Sequence, residues 1–312
     1  MLNRGRVRYL RVSLLDSCNL NCFYCRPDSQ STHKEVGSQP PEMFERSIEL
    51  LHQLGVRKVR FTGGEPTLYK QLPRLIAFTR SLGDSHHIAL TSNGLLLHQH
   101  ARELAAAGLD SINISLDTSE RERFKRITGK DAFQQVISGI DAALKYIGTV
   151  KLNCVLMRGV NDEDAANMVA FADQRGVDIR FIEFMPSRSE PNRDRRYIAG
   201  DEIRARLPYE LKPVYSDPAA AARYYESPRL NIRVGFINPV SHPFCRDCDR
   251  LRLASDGNLY GCLFSGQSTN LFDLLENDPG SSGEAIATLV RSKKYLGCAQ
   301  AEQLPSFIRM GG

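Results

Sequence analysis

Two trios of cysteines hold the densest chemistry in this sequence. The stretch DSCNLNCFYCRP, residues 16–27, places Cys18, Cys22 and Cys25 in C-x3-C-x2-C spacing, with Tyr24 just before the last thiol. Farther along, Cys245, Cys248 and Cys262 stand in C-x2-C-x13-C spacing, with His242 three residues ahead of the first. Four thiolates close a structural zinc site or ligate a four-iron cluster fully, whereas three leave a coordination position for a small molecule. Zinc sites are usually built from two pairs, and the first trio has no second pair nearby, so Cys18, Cys22 and Cys25 are read as iron–sulfur ligands. Spacing alone leaves the second trio open between a zinc knuckle completed by His242 and a second, incompletely ligated iron–sulfur cluster. Cys154 and Cys298 stand alone and read as ordinary small thiols.

These residues need a scaffold, and the first 185 positions supply one. Extended, β-branched runs near 8–15, 57–62, 87–91, 111–116, 150–156 and 178–184 alternate with amphipathic runs at 42–54, 70–82, 97–107, 132–146 and 164–174. PEMFERSIELLHQLG opens on Pro41 and closes on Gly55, a start and a stop for a helix. Repeated strand–helix order implies parallel strands with right-handed crossovers. Six such units suit a partial (βα)6 TIM-type barrel or a doubly wound sheet. The strand ends favour the barrel. Asp16 and Cys18, then Thr62 to Glu65, Thr91 to Asn93, Ser115 and Asp117, and Glu183 and Met185 all follow the carboxyl ends of strands. A barrel gathers such residues around one mouth. After Pro186 the pattern changes to a polar linker and an irregular segment holding the second trio. Residues 1–186 are therefore expected to form the barrel and 187–312 a second, C-terminal module.

Totals narrow the class. The chain has 312 residues, 42% hydrophobic and 25% charged, with a formal charge of +5 from 41 basic and 36 acidic side chains. That excess is small and scattered, which gives no case for nucleic-acid binding. No apolar run approaches the about 18–20 residues needed to span a bilayer, and the arginine-interrupted start lacks a cleavage site. Eight cysteines in such a chain point to reduced thiols and a cytoplasmic location.

The first trio, Tyr24 before its last cysteine, and Gly63, Gly64, Glu65 and Pro66 some forty residues later resemble the radical S-adenosylmethionine (SAM) superfamily. There the Gly-Gly-Glu-Pro strand end holds the methionine amino group. The resemblance implies that a [4Fe-4S] cluster on Cys18, Cys22 and Cys25 binds SAM at its open iron and cleaves it to a 5′-deoxyadenosyl radical. A fourth cysteine would block that iron.

The second trio, with GFINPVSHPFC leading in and DRLRL following Cys248, resembles the GTP 3′,8-cyclase (MoaA) family over essentially the whole chain. The resemblance implies a second [4Fe-4S] cluster on Cys245, Cys248 and Cys262, whose free iron binds the guanine of GTP. It implies hydrogen abstraction at ribose C3′ and ring closure on guanine C8, giving a cyclic dihydroguanosine triphosphate for molybdenum cofactor biosynthesis. It assigns Tyr24, Gly63, Gly64, Glu65, Ser115 and Met185 to SAM. It assigns Arg11, Arg60, Thr91, Lys151, Arg250, Leu251 and Arg252 to GTP, with Arg250 and Arg252 also counted among the catalytic set. It implies a homodimer, an electron donor such as flavodoxin or ferredoxin, and cyclic pyranopterin monophosphate synthase as the next enzyme. A flexible terminal Gly311–Gly312 tail would reach the site.

The charge chemistry agrees with a triphosphate, because guanidinium forks match phosphate oxygens and lysine adds a point charge. Taken singly, each arginine reads equally as a solvated surface residue. Arg250 and Arg252 alternate, so they share one strand face. The chain departs from the family in its 28–41 loop, in Tyr69 and Lys70 after the Gly-Gly-Glu-Pro motif, in Ser92 where a second threonine is usual, and around Cys298. The competing readings are a radical SAM enzyme on another nucleotide or on a peptide, and a zinc-binding scaffold.

Overall fold

A computed structural model describes residues 7–25, 39–185, 193–264 and 266–292. Most of the 28–41 loop, the linker at 186–192, Cys298 and the Gly311–Gly312 tail lie outside the described residues.

Among the described residues twelve strands form one sheet. They are β1 (Tyr9–Ser13), β2 (Lys58–Thr62), β3 (His87–Ser92), β4 (Ser111–Ser115), β5 (Thr149–Leu156), β6 (Asp178–Glu183), β7 (Lys212–Pro213), β8 (Arg223–Glu226), β9 (Val234–Ile237), β10 (Arg250–Leu253), β11 (Asn258–Tyr260) and β12 (Ser268–Asn270). Their spatial order is β12-β11-β10-β1-β2-β3-β4-β5-β6-β9-β8-β7. The six expected strands lie consecutively and in parallel. Two strands from the C-terminal part extend that sheet in parallel at opposite edges, β10 beside β1 and β9 beside β6. Antiparallel pairs then finish each end. The C-terminal part is thus woven onto both edges of the barrel wall.

Helices α1 (Pro41–Gln53), α2 (Leu72–Ser81), α3 (Leu97–Ala106), α4 (Arg121–Thr128), α5 (Phe133–Tyr146) and α6 (Ala165–Gln174) connect the barrel strands. In α1 the buried set Met43, Phe44, Ser47, Ile48 and Leu51 recurs at helical spacing, and Pro41 occupies the first turn, where its missing N–H leaves no hydrogen bond unmade. Helix α4 falls in no expected run. Its sequence RERFKRIT is mostly charged, and only Phe124, Ile127 and Thr128 are buried.

Side chains alternate across each strand. Leu10, Val12, Val59, Phe61, Ile88, Leu90, Ile112, Ile114, Leu152, Ile179 and Phe181 join one hydrophobic core with the helices. The intervening residues face the barrel interior, and most of them are polar. Arg252, Arg11, Arg60 and Ala89 stand in register across β10, β1, β2 and β3. Asn113, Lys151 and Asp178 do so across β4, β5 and β6. A closed barrel fills its interior with branched apolar side chains, so this interior is built for something polar. Among the described residues no helix is long and apolar enough to cross a membrane.

Candidate active site

The first cysteine loop is fixed from two sides. Beneath it, Gly64 N–H donates to Leu15 O at 2.8 Å and Glu65 N–H to Ser17 O at 2.9 Å. This approach requires glycine: a Cβ on Gly64 would lie 2.1 Å from Ser17 O, and one on Gly63, at φ +134°, would lie 2.5 Å from Leu15 O. Beside it, the amides of Asn21 and Phe23 donate to Thr128 O at 2.9 Å and Ile127 O at 3.1 Å, tying the loop to the end of α4. Cys25 N–H turns back to Cys22 O at 3.0 Å. Cys18 Sγ faces Leu20 N–H at 3.5 Å and Asn93 Nδ2 at 3.6 Å.

The three thiols border a cavity of about 230 Å³ that also touches Gly63, Gly64, Ser115, Asn153 and Met185. Glu65 is fully buried and is not on its wall. The Glu65 carboxylate accepts from Thr67 N–H (3.1 Å), Thr67 Oγ1 (2.6 Å), Ser92 Oγ (2.9 Å) and Asn93 N–H (2.7 Å). Burial raises its pKa and these donors oppose the rise. Glu65 therefore locks the ends of β2 and β3 together, and Ser92 supplies one of the donors. At the far side Tyr24 Oη donates to Asp117 Oδ2 at 2.7 Å, and Asp117 Oδ1 accepts from Val155 N–H at 2.8 Å. Burial pushes Asp117 up to about 6, against those hydrogen bonds.

Burial, Asp117 and the flanking thiols push the Cys22 pKa well up, so a set of thiolates here needs positive charge among the sulfurs. Among the described residues no three His, Cys, Asp or Glu side chains converge on a point that would hold a single ion. A cluster meets each sulfur at a different iron and does not need such convergence. The donor set fits an iron–sulfur cluster.

The cations line the interior below this cavity. Arg60 is buried; its Nε donates to Tyr9 Oη at 2.8 Å, and its Nη1 donates to Leu90 O at 2.7 Å and Thr91 Oγ1 at 3.3 Å. Burial and the neighbouring Arg252, Arg60 and Arg250 lower Arg11 to about 9, opposed by Tyr9. Lys151 Nζ lies 3.3 Å from Tyr224 Oη and 3.8 Å from Asp178 Oδ2. Arg250 donates to Ala219 O at 2.9 Å and lies over the Phe244 ring at 4.8 Å. Arg252 is buried with its Nε unbonded. Burial lowers its pKa, while Cys248 and Cys262 oppose that shift, which places it close to the second trio. Arg180, absent from the expected set, donates through Nε to Asn153 at 2.9 Å and has a buried, unbonded Nη2. Leu251 turns its side chain into the hydrophobic core, on the face of β10 opposite to Arg250 and Arg252.

In the second trio, Cys248 N–H donates to Cys245 O at 3.2 Å across a short 3-10 turn. Cys262 is buried with Leu263 and Phe264, and Met185 and Tyr260 pack on that group. Met185 thus borders the first cavity and touches the second trio's surroundings. Glu183 carries the approach loop: its carboxylate accepts from Val240 N–H and Ser241 N–H, both at 3.0 Å, and from Gly200 N–H at 3.0 Å. His242 points Nε2 at Asp201 Oδ2, 2.9 Å away, which weighs against its completing a zinc knuckle.

The structure brings Cys18, Cys22, Cys25, Tyr24, Gly63, Gly64, Thr91, Ser115 and Met185 to one cavity. It places Arg11, Arg60, Lys151, Arg250 and Arg252 on inward strand positions. The sequence reading missed Tyr9, Lys58, Arg180, Asn153 and Asp117. The first three were accessible by counting two residues along strands already marked by Arg11, Arg60 and the run DIRF; Asp117 was noted only as a strand-end residue.

Comparison with known proteins identifies the family. Residues 12–172 match the Radical SAM superfamily and residues 177–295 match Molybdenum Cofactor Synthesis C. The chain is 36% identical over 294 residues to GTP 3′,8-cyclase of Alkaliphilus oremlandii, covering 92% of this chain and 91% of that protein. It is 40% identical over 307 residues to GTP 3′,8-cyclase of Corynebacterium glutamicum strain R, covering 91% and 80%. It is 37% identical over 300 residues to molybdenum cofactor biosynthesis protein 1 of Drosophila melanogaster, covering 92% of this chain but 52% of that longer protein. The fold also resembles the solved structure of Streptococcus suis SuiB bound to S-adenosylmethionine, with a TM-score of 0.65 at 15% identity over 90% of this chain and 68% of that one.

Proposed function

The chain belongs to the GTP 3′,8-cyclase family of radical SAM proteins, and from that premise we propose that it converts GTP to (8S)-3′,8-cyclo-7,8-dihydroguanosine 5′-triphosphate in molybdenum cofactor biosynthesis. The observation that carries the reading is an arginine-lined barrel interior, with one cysteine trio bordering a cavity and Cys262 of the other trio packed beside Met185 of that cavity. An apolar substrate would find no use for it, whereas a triphosphate offers each buried guanidinium a bidentate partner.

Radical SAM membership implies a [4Fe-4S] cluster and SAM, for which Cys18, Cys22 and Cys25 are the cluster ligands. When bound, this pair supplies a 5′-deoxyadenosyl radical. Gly63 and Gly64 leave room for the methionine end, while Ser115 and Met185 border the same cavity. Glu65 acts through its carboxylate, holding the end of β2 against that of β3. Cys245, Cys248 and Cys262 would hold a further [4Fe-4S] cluster, which would supply an open coordination position for the purine. Arg11, Arg60, Thr91, Lys151, Arg250 and Arg252 then bind the triphosphate and ribose between them, and the surrounding strands exclude water from the ribose. We further place the protein in the cytoplasm, as a homodimer reduced by a flavodoxin or ferredoxin and followed by cyclic pyranopterin monophosphate synthase.

The test is anaerobic turnover of the reconstituted protein with SAM, a reductant and GTP. The reading predicts 5′-deoxyadenosine and a cyclised nucleotide in equal amounts. SAM cleavage that yields no cyclised nucleotide, or equal turnover with ATP, would overturn it.

A further inference from the structure

Tyr9 is the least expected residue of the interior. It opens β1 and stands in register with Lys58 of β2 and Arg250 of β10. Its phenolic oxygen accepts from Arg60 Nε at 2.8 Å. Its ring carries Lys58 Nζ at 5.0 Å and Arg250 Cζ at 5.6 Å from the centroid. One side chain therefore touches three cations on two neighbouring strands. Aromatic faces attract such cations, and more strongly once water is removed.

We propose that Tyr9 is the resident counter-anion of the cation cluster, ionised while the nucleotide is absent and protonated when a triphosphate takes over Arg60, Lys58 and Arg250. The inference rests on the triphosphate reading above. Without substrate, several like charges share one interior, and a phenolate at their centre is the group that relieves their repulsion. Facing Tyr9 are Arg11 on its own strand, Lys58 and Arg60 on β2, and Arg250 on β10, with Arg252 one register step on and Arg180 across the interior. On the acidic side, Asp249 acts on Lys58 and gives its carbonyl to the Tyr9 amide. Burial alone would raise the phenol, but Arg60, Arg11, Lys58 and Arg250 together lower it to about 7. The incoming phosphates bring more negative charge than one phenolate supplies, so the phenolate takes a proton from solvent and becomes a neutral donor. Affinity then depends on pH: the bound state holds one more proton, so binding weakens about tenfold per pH unit above the phenol's pKa.

The test compares the reconstituted wild type with Tyr9→Phe by calorimetric GTP titration in buffers of differing ionisation heat. Subtracting the variant removes the nucleotide's own protonation. Expected is an uptake of about half a proton per GTP at pH 7, and a further tenfold loss of affinity between pH 8 and pH 9, both in the wild type only. Equal uptake and equal pH dependence in Tyr9→Phe would overturn the inference. A second measurement does not depend on that variant folding. With tyrosine labelled at 13Cζ, one resonance of the wild type should titrate near pH 7 and return to the neutral-phenol position on adding GTP or inorganic tripolyphosphate. If no tyrosine titrates below pH 9, the inference is wrong. A response to tripolyphosphate with no binding of GTP supports Tyr9 as counter-anion and overturns the nucleotide assignment.

Discussion

Gly64→Ala is the smallest change that should disable the first cysteine loop. The added methyl would lie 2.1 Å from Ser17 O, 2.6 Å from Ser17 C and 2.9 Å from Asp16 O, where ordinary contact begins at 3.4 Å. All three are backbone atoms, so no side chain can rotate aside. The segment leading into Cys18 must retreat by about 1 Å, at the about 1–3 kcal/mol typical of overpacking. The retreat stretches the bonds from Gly64 N–H to Leu15 O and from Glu65 N–H to Ser17 O. For a chain of this size that lowers the melting temperature by only a few degrees. The catalytic effect is much larger, because a displacement of about 1 Å at reacting groups costs on the order of 100-fold in rate. The assay is 5′-deoxyadenosine formation by the anaerobic, dithionite-reduced protein, with GTP affinity measured alongside. Expected is a loss of on the order of 100-fold in SAM cleavage with near-normal GTP binding. A variant that cleaves SAM at the wild-type rate would refute the claim that Gly64 sets the position of Cys18.

The other outcomes follow from the same contacts. Cys22→Ser should abolish SAM cleavage, whereas Cys248→Ser should weaken GTP binding and retain some cleavage; iron content and equilibrium dialysis distinguish the two. Arg252→Ala removes a buried guanidinium beside the second trio, and the loss of a charged hydrogen bond of about 1.5–3 kcal/mol should raise the GTP dissociation constant by roughly 10- to 100-fold. Glu65→Gln sets an amide against the donors of Thr67, Ser92 and Asn93, so thermal melting should show a loss of about 1–3 kcal/mol with GTP affinity preserved.

The barrel strands were legible because apolar side chains recur at alternate positions along them, and their ends fell close to the observed limits of β1 to β6. Helix α4 was not, since its few buried residues are set among charges and its purpose, holding Asn21 and Phe23, is tertiary. Strands β9 and β10 show why the two halves are hard to separate by eye: each is short, and each pairs with a strand far away in sequence. At the site, cysteine spacing identified both trios. It gave no view of the supporting side chains. Glu65 stands in a motif tied to SAM yet spends its carboxylate on strand ends, and Tyr9 reads as an ordinary β residue until Arg60, Lys58 and Arg250 close around it.

The central claim is that one nucleotide lies between two cysteine trios, with its ribose presented to the SAM side. Turnover with GTP deuterated at ribose C3′ tests this directly. The account predicts deuterium in the 5′-deoxyadenosine formed. Unlabelled 5′-deoxyadenosine formed alongside the cyclised product would contradict it.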